Sequence, residues 1–281
     1  MSLLEFRLRI RKRRDELGLT AEEVRKHLGV SRVYFSSIEN GRATLADNKL
    51  DPLLSVLSLE DQREELGTLL EGSRERGWWH KYSRVLDPVV VEFCGLEWGA
   101  SRVRLAESRV APGLLQTSRY AEVLIRRNSK VSRHEVATIL ETREHRQARL
   151  KGPDSADLFA VVSETVLMQH YGGSEVLAEQ IDHLLSLTTG IEPAAHLRVQ
   201  PFNVTPLNGA QFSTSQLFDF LSPHIPTVAV TERTGVIELL FDDDEVRLES
   251  LNFELYKESA ASSDTSAEML RRRLDQLQTE L

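Results

Sequence analysis

Residues 18–41 read GLTAEEVRKHLGVSRVYFSSIENG. Thr20-Ala21-Glu22-Glu23 has the form of a capping box, in which a threonine side chain caps a helix and the glutamate three residues on reaches back to it. Val24 and Leu28 fall four apart on one face of the helix that follows, and Gly29 is suited to the left-handed conformation that ends a helix. Ser31 caps a second helix, with Phe35 and Ile38 inward and Arg32, Val33, Ser36 and Ser37 outward; Asn40-Gly41 terminates it. Two short helices around a tight glycine turn match the helix-turn-helix arrangement, whose second helix lies in the major groove of DNA.

The flanks extend the helical reading. Leu4, Leu8, Ile10 and Leu17 interleave with Arg7, Arg9, Arg11, Lys12, Arg13 and Arg14, which predicts a basic amphipathic helix ending near Gly18. Leu50 to Leu70 continues as helix, with Pro52 in a first helical turn and Gly67 as a tolerated blemish or a break. The segment 72–82, GSRERGWWHKY, changes composition and reads as a linker, its aromatics Trp78, Trp79 and Tyr82 suited to sealing a joint between domains. The expected domains are therefore 1–75 and 76–281.

LTAEEVRKHLGVSRVYFSSIENG resembles the helix-turn-helix of the XRE family, the lambdoid-repressor-like DNA-binding domains, over about residues 3–75. The Leu-Gly turn, the Val-Ser entry to the second helix and the closing Ile-Glu-Asn-Gly all agree with it. The resemblance implies that Arg32 and Val33, with Ser37 one turn later, touch base edges. Arg32 is suited to a bidentate contact with guanine and Val33 to a thymine methyl. It further implies that Asn40 and Arg42 grip phosphates, and that Arg14 and Glu39 form a structural ion pair. Ala21 stands where relatives often carry a phosphate-anchoring glutamine, leaving the backbone amide at that helix start to serve an anion. Tyr34 is bulkier than the residue usual there, which would restrict or redirect docking. A helical bundle could use the same caps for stability alone; the exposed Arg-Val face and the basic first helix favour DNA.

Charge agrees with that division. The chain of 281 residues has a net charge of −8, yet residues 1–50 hold 11 Lys and Arg against 7 Asp and Glu, a net of +4 that leaves −12 for the rest. A basic reading domain joined to an acidic partner domain fits this asymmetry. The 41% hydrophobic and 28% charged content is that of a soluble globular protein. No apolar run approaches the roughly 20 residues of a membrane span, and MSLLEFRLRIRKRRDEL has charges where a signal peptide has its apolar segment. One cysteine, Cys94, rules out an intrachain disulfide framework. The expected location is the cytoplasm.

Beyond residue 82 the pattern mixes classes. RVRLAESRV (102–110) alternates as a strand, and APGLLQTSRYAEVLIRR turns and then becomes a helix from about Ser118. SRHEVATILETREHRQARL is a long helix opening at Ser132 and Glu135, DLFAVVSETVLM begins as a buried strand, and SEVLAEQIDHLLSLTTG is an amphipathic helix. HLRVQPF, AQFSTSQLFDFL, TVAVTER and GVIELLF are strand candidates, and two further helices close the chain. The expected fold class is a mainly α N-terminal helix-turn-helix domain plus an α+β C-terminal domain with a small, largely antiparallel sheet.

This stretch, about 78–279, is similar to the C-terminal domain of a large actinobacterial group of XRE-type regulators, through VAPGLLQTSRYAEVLI, ETREHRQARL, LFAVVSETVLMQHYGG and LAEQIDHLLSL. That domain is described as of unknown function and sometimes as antitoxin-like. Ala111 departs from the group's usual Val-Pro-Gly-Leu-Leu-Gln-Thr run as an insertion or register change. The resemblance implies a small protein partner encoded nearby.

Enzyme signatures are missing: the sequence has no phosphate loop, GxGxxG, HExxH or GxSxG, and His134-Glu135 lacks a second histidine at ligand spacing. Asp242-Asp243-Asp244 reads as a turn or solvated face. No catalytic residue, metal ion or cofactor is indicated, and the chain is expected not to be an enzyme. Arg143 and Arg146 either pair along their helix with Glu141 and Glu144, the preferred reading, or line a pocket for an anionic ligand together with Gln116 and Thr117. The leading function is a transcriptional regulator that reads double-stranded DNA as a homodimer, controlled through its second domain by a small protein or a small-molecule effector. The alternative is an antitoxin-like partner-binding protein whose DNA binding is mainly autoregulatory.

Overall fold

The computed structural model describes residues 1–75, 77–152, 154–189, 194–204, 214–233 and 236–280. The start of the strand candidate AQFSTSQLFDFL, 210–213, lies outside the described residues, as does Gly235 of GVIELLF. Contacts divide the chain into two units, Met1–His80 with Leu221–Pro226, and Lys81–Phe220 with Thr227–Leu281.

In the first unit, α1 (Ser2–Glu16), α2 (Ala21–Leu28), α3 (Arg32–Glu39), α4 (Leu50–Leu57) and α5 (Arg63–Gly72) enclose a core of Phe6, Ile10, Val24, Leu28, Phe35, Ile38 and Leu53. The capping box closes: Thr20 Oγ1 accepts from Glu23 N at 3.2 Å, and Glu23 Oε2 accepts from Thr20 N at 2.8 Å. Gly29 takes φ +64° and ends α2; Ser31 then caps α3 by accepting from Tyr34 N. Together these two caps fix the angle between the helices.

Two expectations are corrected here. The helix expected from Leu50 to Leu70 breaks at Ser58, which adopts φ 51° as Leu59 N bonds back to Leu54 O, so that Leu57 and Leu59 both reach the core; Gly67 lies within α5. On α1 the buried residues are Leu4, Phe6, Arg9 and Ile10, whereas Leu17 is exposed. Arg9 is buried because Glu65 receives it through both oxygens, at 2.5 and 2.9 Å, and Gln62 at 2.6 Å.

The second unit is built on a six-stranded sheet of order β3-β2-β1-β4-β5-β6. Its strands are β1 (Arg102–Glu107), β2 (Asp157–Ser163), β3 (His196–Gln200), β4 (Ser215–Asp219), β5 (Val228–Arg233) and β6 (Val236–Leu240). β1 pairs with β2, and β2 with β3, in parallel; β1–β4, β4–β5 and β5–β6 are antiparallel. The sheet is therefore mixed, not small and largely antiparallel. Parallel neighbours require long crossovers, and helices supply them: α7 (Ser118–Arg127) and α8 (Val136–Gln147) lie between β1 and β2, and α9 (Thr165–Met168) and α10 (Ser174–Thr188) between β2 and β3. α11 (Asp243–Ser259) and α12 (Ser263–Glu280) end the unit, while α6 (Pro88–Gly99) precedes the sheet. No element was expected at α6, although Asp87-Pro88 is a legible helix start: the Asp87 carboxylate accepts from Val89 N at 2.9 Å. In the same way Asp242 caps α11, accepting from Asp244 N and Glu245 N, which accounts for the acidic run there.

Phe253 and Tyr256 of α11 cover one sheet face with Ala106, Val161, Leu217 and Ala229. On the other face Phe218 meets Phe93 of α6, ring centroids 5.6 Å apart. That face also receives Arg146 of α8, bonded side-on to Glu97 of α6 at 2.6 and 2.7 Å; Glu97 is 1% exposed. Among the described residues, no helix is long and apolar enough to cross a membrane.

The two arginine pairs differ in what a broken pair leaves behind. Glu97→Ala strands the Arg146 charge in the interior and is expected to cost about 3–5 kcal/mol. Arg9→Met leaves Glu65, whose side chain is 58% exposed, to water and is expected to cost about 1 kcal/mol. Urea unfolding of the two variants measures the difference; equal losses would contradict it.

Candidate functional site

The capped pair α2–α3 presents the start of α3 outward. Arg32 is exposed and Val33 is 77% exposed, high for an apolar side chain with no packing role. Ser37, one turn on, is half-buried, and its hydroxyl donates to Val33 O at 2.8 Å, which leaves its lone pairs as acceptors. Asn40 is exposed but held against the helix, its Nδ2 donating to Ser36 O at 2.8 Å. Arg42 follows Gly41, whose φ of +68° favours glycine; a Cβ there would meet only the movable end of the Arg7 side chain. Arg14 Nε donates to Glu39 Oε1 at 2.9 Å and ties α1 to α3.

Tyr34 is only partly exposed: its hydroxyl donates to Thr44 O at 3.1 Å and accepts from Ala46 N at 3.0 Å, so the ring fastens the loop after α3. At Ala21 the capping box puts the Glu23 carboxylate at the same helix start whose amides would serve a phosphate. Of the six cations of α1, only Arg11 and Lys12 are exposed. Arg9 and Arg14 are committed to carboxylates, and Arg13 Nε donates to Leu57 O at 3.1 Å. Composition counts such cations alike; only packing separates them.

The sheet face of the second unit that carries α6 holds a cavity of about 510 Å³. Its floor includes Glu107, Gln216 and Val230 and its walls Phe93, Ile139 and Arg143, with Gln116 and Arg146 in the lining. Of Gln116, Thr117, Arg143 and Arg146, the candidates for an anion pocket, the structure brings Gln116, Arg143 and Arg146 to this cavity. Thr117 instead caps α7, accepting from Tyr120 N at 3.2 Å, and its own amide donates to Gln180 Oε1 at 2.8 Å. The pairing expected along α8 is replaced: Arg146 takes Glu97, Glu141 takes Lys81 at 3.0 Å, and Arg143 Nη1 donates to Gln116 Oε1.

The loop containing Pro112-Gly113 is buried, and amide side chains satisfy its backbone. Gln116 Nε2 donates to Ala111 O at 2.5 Å, Gln147 Nε2 to Gln116 O at 2.7 Å and Gln180 Nε2 to Leu115 O at 2.7 Å. Ala111, 0% exposed, donates its N–H to Tyr120 Oη at 3.3 Å.

Glu107 escaped sequence reading because a glutamate at the end of a strand has no motif. It is 8% exposed and accepts from Thr214 Oγ1 at 2.9 Å. Burial pushes its carboxyl up to about 8, with the Glu232 carboxylate adding to the shift, so the group is mainly neutral at pH 7. Burial lowers the Arg143 guanidinium to about 10, which leaves it charged. Burial likewise pushes the Cys94 thiol up to about 11, far from a reactive thiolate.

A family model described as a helix-turn-helix domain matches residues 5–66, and one described as a domain of unknown function (DUF5753) matches residues 90–272. No curated protein and no solved structure matches the chain.

The raised carboxyl makes stability depend on pH. A folded value of about 8 for Glu107, against about 4.3 unfolded, means its contribution is present at acid pH and is lost as pH rises through 8. The advantage of Glu107→Gln over the wild type is expected to be larger at pH 9 than at pH 5 by a few kcal/mol. Urea midpoints at the two pH values check this; parallel pH profiles would contradict it.

Proposed function

The chain belongs to the family of the domain of unknown function DUF5753, and from that premise we propose that it is a sequence-specific DNA-binding transcriptional regulator. The observation that carries the reading is the exposed start of α3, Arg32 and Val33, held at a fixed angle by two satisfied caps in a helix-turn-helix domain. The α3 helix enters the major groove. Arg32 bonds guanine O6 and N7, Val33 packs on a thymine methyl, and Ser37 reaches an adjacent edge. Asn40, Arg42 and the Ala21 amide bond phosphates, which sets register without reading sequence. The cations left exposed are few for one reading head. The protein therefore acts as a homodimer on two half-sites, whose binding energies combine.

The second unit binds and does not catalyse. An effector, a small molecule or a small protein, that binds there more tightly in one state than the other shifts the population of DNA-competent dimers. Both steps take place in the cytoplasm, where DNA and effector are within reach.

Two substitutions separate reading from gripping. Arg32→Ala is expected to cost about 1–3 kcal/mol and relax specificity at one base, whereas Arg42→Ala weakens binding to all sequences and lowers the salt slope by about 1. Fluorescence anisotropy across a salt series, on a duplex the full chain binds, measures both. Unchanged affinity and salt slope in both variants would overturn the proposed docking.

A further inference from the structure

The cavity on the α6 side of the sheet contains a cation that its surroundings leave half-used. Arg143 Nη1 is taken by Gln116, but Arg143 Nε is buried with no hydrogen-bond partner among the described residues. Nε and Nη2 form the side-on edge of a guanidinium, the edge that Arg146 gives to Glu97 and Arg104 gives to Asp219 in this same unit. On Arg143 that edge makes no hydrogen bond to the described residues, and no carboxylate among them pairs with it. An interior guanidinium edge left without a direct partner is costly, and a carboxylate is the group whose two oxygens match the edge.

We propose that this cavity binds a small organic monocarboxylate with an apolar body, its carboxylate held side-on by Nε and Nη2 of Arg143. The volume of about 510 Å³ lies within the range of ligand sites, about 300–1,000 Å³. Phe93, Ile139 and Val230 are walls for the apolar part. The charge count limits the ligand to a single negative charge. Arg146 is already neutralised by Glu97, and Glu232 in the lining offsets Arg109, which leaves Arg143 as the single net positive charge. An amine is excluded for the converse reason, since Arg143 repels it and Glu107 is mainly neutral at pH 7. Gln116 plays a positioning part: anchored to Ala111 O by its amide nitrogen, it fixes Arg143 through its oxygen, so the edge is held in place before the ligand arrives.

The proposal rests on the reading of the second unit as the regulatory half, and supplies the chemistry of its effector. Isothermal titration of the full chain at pH 7 with 4-phenylbutyrate and with dodecanoate tests it, against the matched alcohols and amines. The carboxylates are expected to bind, the alcohols about tenfold or more weakly, and the amines not at all. Arg143→Gln is expected to weaken carboxylate binding by about tenfold or more, with Arg143→Lys between it and the wild type, because lysine keeps the charge and loses the edge. Ile139→Trp, which fills the cavity and leaves every charge in place, gives the same loss and serves if Arg143→Gln does not fold. Binding of neither carboxylate, equal binding of carboxylate and amine, or binding unaffected by both substitutions would overturn the proposal. Anisotropy with DNA, run with and without the carboxylate, separates the two claims. Arg143-dependent binding with unchanged DNA affinity upholds the site and overturns only the coupling to DNA.

Discussion

Helix α8 carries two arginines into the second unit one turn apart, and among the described residues only one of them meets a carboxylate. Arg146 closes on Glu97 from α6 with both donors, which joins the two helices over one face of the sheet. Arg143, on the same stretch of helix, is met by the uncharged Gln116. That asymmetry organises its surroundings. The loop through Pro112-Gly113 is drawn in under α8 so that Gln116 can reach Arg143, and the buried loop is then satisfied by Gln147 and Gln180. Had Gln116 been a glutamate, the site would be a second closed ion pair. As it stands, the interior holds a fixed cation beside a neutral carboxyl, an arrangement that stabilises little by itself and is suited to receiving an anion.

The first unit applies the same chemistry to a different end. Its interior arginine, Arg9, is fully answered by Glu65 and Gln62, and Arg14 is answered by Glu39. Arg9 ties α1 to α5 and Arg14 ties α1 to α3, while the Gly29 turn and the Ser31 cap join α2 to α3 with the start of α3 outward. Satisfied charges inside and an unsatisfied apolar and cationic face outside are what a reading surface requires. In the proposed docking, rigid placement of Arg32 would make a hydrogen-bonding group a specificity element, because a bidentate contact with a base edge tolerates little misorientation.

What was legible in the sequence follows the range of the interactions concerned. The capping box at Thr20–Glu23, the left-handed turn at Gly29 and the Ser31 cap are local, each decided within a few residues, and the helix-turn-helix could be read from them directly. The sheet's parallel half depends on which distant strands pair, and periodicity within β1, β2 and β3 carries no information on direction. The length of the helical crossovers between them held that information. Glu107 and Glu97 were invisible as site residues for the same reason: each has meaning only beside a residue tens of positions away. Arg143 and Gln116 were legible as candidates through their chemistry, but the preferred pairing of Arg143 with its helix neighbours failed. A local partner on an exposed helix loses to one supplied by packing.

The central claim is that α3 reads DNA sequence. The most direct measurement is selection of bound fragments from a random duplex pool by the full chain, followed by sequencing. The account predicts enrichment of one motif in two inverted half-sites, with centres about 10–10.5 base pairs or a multiple apart. It further predicts that a guanine within each half-site loses its enrichment when the selection is repeated with Arg32→Ala. A pool recovered without any enriched motif, or a motif unaltered by that substitution, would contradict it.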